Sequence, residues 1–246
     1  LPKTAWPPTL PAAAAQGIIW GIMALGVYIT FRLLNVSDLT VDGSFATGGA
    51  VTVMLLLQGL PAWAALLIAV LVGLLTGLCT GLLHTKFGIP AILAGILTQF
   101  ALYSINLRIM GKANQTASIK NFGMFWETNG KGFLMSSLYV PQALIAGLLL
   151  SAALVALLYW YFGTEQGSAM RATGANPSMS RAQGINVSNM KLLGLALSNG
   201  MVALAGGLMT QFQGTADVSM GRGAIVIGLA AIIIGEVLCD AFFRKG

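Results

Sequence analysis

A chain of 246 residues that is 57% hydrophobic and only 8% charged, with a mean hydropathy of +0.83, is excluded from the soluble globular class, which carries about 25% charged residues. Such a composition defines a polytopic, all-α membrane protein. Its formal charge of +6 is scattered among loops without a basic patch interleaved with aromatics, which excludes nucleic acid as a partner and points to anionic lipid headgroups.

Residues 1 to 11, LPKTAWPPTLP, read as a proline-rich lead-in with no basic region leading to a cleavage site. A helical span needs about 20 mostly apolar residues. Seven segments qualify: 12 to 34, 44 to 59, 61 to 83, 88 to 107, 138 to 162, 189 to 212 and 223 to 239. The second and last are short enough to be half-buried or re-entrant. The organisation is therefore a first transmembrane half over 12 to 163 with a loop at 108 to 137, a polar island over 164 to 191, and a second half over 192 to 246.

At the head of the second span, Asp42-Gly43-Ser44 fits a helix break. A break leaves backbone N–H and C=O groups that are tolerable at membrane depth only when buried in protein or lining a wet cavity. Asp42 or Ser44 caps a half-helix beginning near Phe45, and Gly43 permits the turn and the close approach of a neighbour. Asp42 either lines a path or only caps, since an acid at a helix start is stabilised by the helix dipole. Further along, Gly73, Gly77 and Gly81 give one helix a smooth ridge for close packing, and Gly206 and Gly207 do the same later. Cys79 and Cys239 read as buried small residues, and the single histidine, His84, as a turn residue beside Lys86. Gln99, Asn106, Asn199 and Gln211 suit hydrogen bonding between helices.

The polar island, TEQGSAMRATGANPSMSRAQGINVSNMK from Thr164 to Lys191, carries its own capping signals. Asn176 is an N-cap with Pro177 at the first helical position, Gly184 supplies a left-handed end, Gly174 ends a preceding turn, and Ser188 caps the next apolar span. Two short helices meeting at an elbow make a docking device. Beyond it, Glu236 follows the run AAIIIG, where a carboxylate is expensive unless it faces the interior, a partner or water. It lines a path, pairs with a basic residue such as Arg222, or lies past a span ending at Gly235, in a solvated turn with Asp240, Arg244 and Lys245. Residues Gly21 to Ser44 and Gly200 to Gly223 repeat one pattern: a glycine-bearing span, a polar interruption with a central carboxylate (Asp42 or Asp217), then glycine and a fresh apolar run. By alternation the copies enter the membrane from opposite sides, an inverted repeat of the kind whose interrupted helices meet at a substrate path. Asp42, Gly43, Ser44, Asp217, Ser219 and Glu236 are the path candidates.

The segment Gly167 to Asn186, with Arg171, Ala172, Gly174, Asn176 and Gly184-Ile185-Asn186, resembles the cytoplasmic coupling loop of permease subunits in ABC importers of the branched-chain amino acid and ribose type. LTVDGSFATGGAV (Leu39 to Val51) and GLMTQFQGTADVSMGRGAIVIGLAAIIIGEVL (Gly207 to Leu238) resemble that family's two half signatures, in the variant most similar to tryptophan or tyrosine permeases. The resemblance implies a second permease chain, a cytoplasmic ABC ATPase coupled through Arg171, Ala172, Gly174, Asn176, Pro177 and Gly184, and an extracytoplasmic solute-binding protein. It implies a place in the bacterial cytoplasmic membrane, and it settles an orientation that basic residues leave at seven inside against six outside. The loop at 108 to 137 then lies outside, where Lys112, Lys120, Phe122, Phe125, Trp126 and Lys131 either meet the binding protein or form a solvated face. Family members usually continue with further membrane sequence, so the resemblance implies an incomplete second half, either because the chain is a fragment or because it is a shortened permease.

No GxxxxGK[ST] loop is present, so ATP is expected to act through the partner ATPase. No His/Cys cluster suggests a metal, and no GxSxG or paired acid–base arrangement suggests catalysis. The expectation is a non-enzymatic permease subunit, binding no cofactor itself, of an ATP-driven importer for a small polar solute. An aromatic amino acid comes first among substrates, with branched-chain amino acids, sugars and nucleosides open. The rival classes are an ATP-independent carrier or channel and a degenerate permease-like scaffold.

Overall fold

The computed structural model describes residues 9–117 and 140–243. The expected roles of Lys120, Phe122, Phe125, Trp126, Lys131, Arg244 and Lys245, and most of the lead-in, lie outside those residues. Helix α1 (Thr9–Tyr28) runs directly into a π-helical turn, Ile29–Leu33. Then come α2 (Thr40–Leu57), α3 (Ala62–Thr85), α4 (Ala91–Met110), strand β1 (Asn114–Thr116) and α5 (Val140–Gly163). The polar island forms α6 (Glu165–Ala175) and α7 (Pro177–Ala182), followed by α8 (Val187–Gln213), β2 (Thr215–Asp217) and α9 (Ala224–Phe243). Among the described residues six helices are long and apolar enough to cross a membrane, or up to seven if α5 and α6, bent by 81°, are counted as one broken span.

The predicted spans match these helices to within a few residues, and the early start of α2 has a cause. α2 starts at Thr40, before the expected start at 44, because Asp38 Oδ1 accepts the Thr40 N–H at 2.9 Å and closes the first turn from outside. The all-α expectation needs one small addition. β1 and β2 pair antiparallel with Asn114 opposite Asp217 and Thr116 opposite Thr215, joining the ends of α4 and α8.

Helix α8 is the axis of the fold, and glycine is the reason the others reach it. The ridge of Gly73, Gly77 and Gly81 lies against Asn199, Leu195 and Leu192 of α8 so closely that a Cβ at Gly77 would run into the Leu195 carbonyl. α2 crosses α8 where Gly48 meets Ala203 and Gly206 meets Phe45, and α1 crosses where Gly26 lies on Ser198, whose hydroxyl donates to the Gly26 carbonyl at 2.7 Å. Such close backbone approach is the main source of cohesion where the surrounding medium is as apolar as the side chains. By contrast, α9 leaves Val226, Ile233, Ile234 and Val237 exposed, and Cys79 and Cys239 are free and exposed instead of buried.

Two ends of the bundle can be told apart. At one lie the elbow and the α3–α4 turn, tied together where His84 Nδ1 meets the Ile89 carbonyl at 2.9 Å and Nε2 meets Lys191 Nζ at 3.4 Å. The strand pair marks the other.

Gly77→Val should lower the melting temperature of the purified protein, since overpacking costs about 1–3 kcal/mol. Gly21→Ala, where an added Cβ meets nothing within 4 Å, should leave it unchanged.

Candidate translocation cavity and coupling elbow

The chain is interrupted twice, and each interruption is closed by a carboxylate, but the first lies ahead of the expected break at Asp42-Gly43-Ser44, which falls inside α2. The first runs from Leu34 to Leu39, where Asn35 takes a left-handed φ of 52°. Its carboxylate is Asp38, 3% exposed, which binds the Thr40 N–H with one oxygen and accepts from Asn199 Nδ2 at 2.7 Å with the other. Asn199 in turn accepts the Ser44 hydroxyl at 2.6 Å, and Ser44 lies 2.8 Å from the Thr76 hydroxyl. A second hydroxyl chain links Thr40, Thr80 and Thr98 across α2, α3 and α4. Ser44 is thus fully buried and caps nothing.

The second interruption runs from Gly214 to Gly223, antiparallel to α2. Ala216 packs with Ala50 and Val53, Met220 reaches Gly49, and Gly221 lies on the Asp42 carbonyl. At its end Asp42 caps α9, not its own helix. Its two carboxylate oxygens accept the Gly223 N–H at 3.1 Å and the Ile225 N–H at 3.0 Å, two of the donors that a helix start leaves unpaired. The capping expected of Asp42 therefore serves another helix, and no half-helix begins at Phe45. Gly43 does not turn the chain, but it does admit a neighbour: a Cβ there would stand 3.0 Å from Leu102 and 3.2 Å from the Gln99 backbone.

Where α2, α4 and the second interruption meet, a cavity of about 240 Å³ opens, lined by Asp42, Gly43, Gln99, Tyr103, Asn106 and Arg222 among others. The α4 residues at 99, 103 and 106 fall on one helical face, a stripe legible in sequence as spacing i, i+4, i+7. Phe100 adds a second ring, and the Arg222 guanidinium stands 5.8 Å from the centroid of the Tyr103 ring, within cation–π range. Asn106 is 1% exposed, and neither its Oδ1 nor its Nδ2 has a hydrogen-bond partner. Gln99 and Asn106 thus face the cavity rather than linking helices.

The other candidates lie elsewhere. Asp217 binds the N–H and hydroxyl of Ser219 within its own turn, and neither residue lines the cavity. Glu236 meets neither Arg222 nor a solvated turn: α9 continues past it to Phe243, and it pairs with Arg32 at 2.8 Å on a half-exposed flank.

The elbow has the expected caps, with one change. Asn176 Oδ1 accepts from Ser178 and Met179 N–H at 3.1 Å, Pro177 opens α7, and Gly184 has φ +82°. Asn186, not Ser188, caps α8 by accepting the Asn189 N–H. Gly174 does not end α6. It is a contact point, where any Cβ would run into the Leu33 carbonyl of the π turn, while Leu34 fills the notch at Gly194. Arg171 donates to the Phe162 carbonyl at 3.0 Å, Ala172 and Pro177 are exposed, and Met179 and Arg181 point outward.

Interrupted helices closed by one buried and one half-buried carboxylate, beside a small cavity with polar lining residues and in a bundle otherwise sheathed by apolar side chains, define a multi-pass membrane transport protein. Residues 10–239 match the family described as branched-chain amino acid transport system / permease component, and the chain belongs to that family. It is 42% identical over 231 residues to a tyrosine transport system permease protein of Clostridioides difficile (strain R20291), covering 92% of this chain and 72% of that one. It is also 34% identical to an uncharacterized protein of Rickettsia prowazekii (92% and 76% covered), and 29% identical to a probable branched-chain amino acid transport permease protein LivH of Methanocaldococcus jannaschii (78% and 62% covered). No solved structure gives a significant match. These relatives are transport permeases where they are described at all, not enzymes.

Asp42→Ala should cost about 0.5–2 kcal/mol, the usual loss of a capping acceptor. Amide hydrogen exchange should accelerate at residues 223–226 and stay unchanged in α3, with Asp42→Asn intermediate.

Proposed function

We propose that this permease is the membrane subunit of an ATP-driven ABC importer in the bacterial cytoplasmic membrane, working with a second permease chain, a cytoplasmic ATPase and an extracytoplasmic solute-binding protein. The observation that carries the reading is the elbow. Two capped helices hold a rigid shape on the protein surface, with Met179 58% exposed and Arg181 beside it, in a chain that otherwise exposes mainly apolar spans. An ATP-independent carrier has no use for such a dock.

The packing gives the dock a route inward. Displacement of α6 bears on the Leu33 carbonyl through Gly174, and Leu34 transmits it to α8 through Gly194. Asp38 then joins the same interruption to the first turn of α2 and to Asn199. Asp42 lies in that first turn, so ATPase closure reaches the cavity through rigid contacts, without unfolding any helix. Discontinuous helices meeting near the middle of a bundle are where transporters place their substrate path. The likeness to a tyrosine permease supports an aromatic amino acid as the solute.

The test is co-purification with the cognate ATPase. Wild type should retain it, and Met179→Asp with Arg181→Glu should lose it while eluting as folded protein. Gly174→Val should retain the ATPase yet cut uptake of the solute at least tenfold, because the wedge breaks the contact with the π turn. A folded wild type that never retains an ATPase would move the carrier or scaffold reading ahead.

A further inference from the structure

We infer that this permease itself discriminates among solutes, reading a polar group on the solute side chain with the amide of Asn106. The inference rests on the importer reading above and adds a selective step after the binding protein. Its warrant is the state of that amide. A primary amide that is 1% exposed with both polar atoms unpaired is costly, because burial without a partner forfeits about 1–3 kcal/mol per group. Replacing it by an apolar side chain of similar size would remove that cost, so packing gives no reason for an asparagine here. A visiting ligand does. Asn106 is one of the residues that line the cavity, and its buried amide keeps one acceptor and two donors unspent for a ligand that reaches it.

The rest of the lining sets the class of ligand. Arg222 presents a guanidinium, and its exposed position leaves donors free for an α-carboxylate. Asp42 spends one lone pair of each oxygen on α9 and keeps others for an α-ammonium. Phe100 and Tyr103 supply rings on the α4 wall of the same cavity. One positive group, one negative group, ring faces and a neutral amide fit a zwitterionic amino acid with an aromatic side chain and a polar tip. A phenolic hydroxyl both donates to Oδ1 and accepts from Nδ2. An indole N–H satisfies only Oδ1, and a phenyl or isobutyl group satisfies neither. The expected order of binding at the permease is tyrosine, then tryptophan, then phenylalanine and leucine, with D-ribose last.

The experiment uses the full natural chain assembled with its ATPase in lipid nanodiscs, without binding protein, and tritiated L-tyrosine as probe. L-Tyrosine should displace the probe about tenfold or more better than L-phenylalanine. In Asn106→Leu that ratio should fall to within about twofold while the protein melts no earlier, since two unpaired polar atoms have been removed. Asn106→Gln, which keeps the amide, should restore part of the preference. Arg222→Gln should weaken every amino acid alike and leave the ratio intact, a pattern that separates charge recognition from reading of the side chain. No saturable tyrosine binding at millimolar concentration, or an unchanged ratio in Asn106→Leu, overturns the inference. Retention of the ATPase in the same preparations is scored separately, so the importer reading stands or falls on its own result.

Discussion

Inside an apolar medium a backbone group without a partner costs far more than any side-chain contact returns, so a helix can be opened there only if something closes the ends. This chain opens two. Asp38 closes the first by bonding the Thr40 amide and Asn199, and Asp42 closes the second by bonding the amides of Gly223 and Ile225. The two closures are four residues apart, Asp38 just ahead of α2 and Asp42 in its first turn. The polar cavity, the seating of α9 and the link to the elbow all follow from that short segment.

The second constraint is proximity. Glycines on α3, α2 and α1 let three helices touch α8 at the backbone, and the hydroxyls of Ser44, Thr76, Thr80 and Thr98 pair between α2, α3 and α4. The result is a stiff unit of α2, α3 and α8 with α9 and the outer face of α4 attached at its edge. Stiffness there makes it reasonable for small displacements at the π turn to arrive at the cavity undiminished, because packed interiors shift between discrete arrangements and do not absorb strain continuously.

Much of this was legible in the residues alone. Apolar runs located the helices, and Asn176-Pro177 with Gly184 located the elbow, because caps and turns are written in local sequence. Long-range partners were not. Asp42 looks like a cap for the helix that follows it, and nothing nearby reveals that its acceptors serve residues 223 and 225. Glu236 likewise found Arg32, more than 200 positions away, and not Arg222. Asp38 carries only a short-range signal, Ser37-Asp38 before Thr40, which marks a turn and says nothing of Asn199. Gln99 and Asn106 were recognised as polar residues in a span, but which face of α4 looks onto a cavity depends on where the second interruption lies, and that is a tertiary fact.

The cap on α9 also fixes an order of assembly. Its acceptor and donors are 181 and 183 residues apart, and the acceptor leaves the ribosome first. Until residue 223 arrives, Asp42 is a carboxylate waiting in an apolar bundle with two bonds unmade. The first half is thus a mould with one charged notch, and α9 is seated by filling it, so a helix made much later completes the electrostatics of an early one.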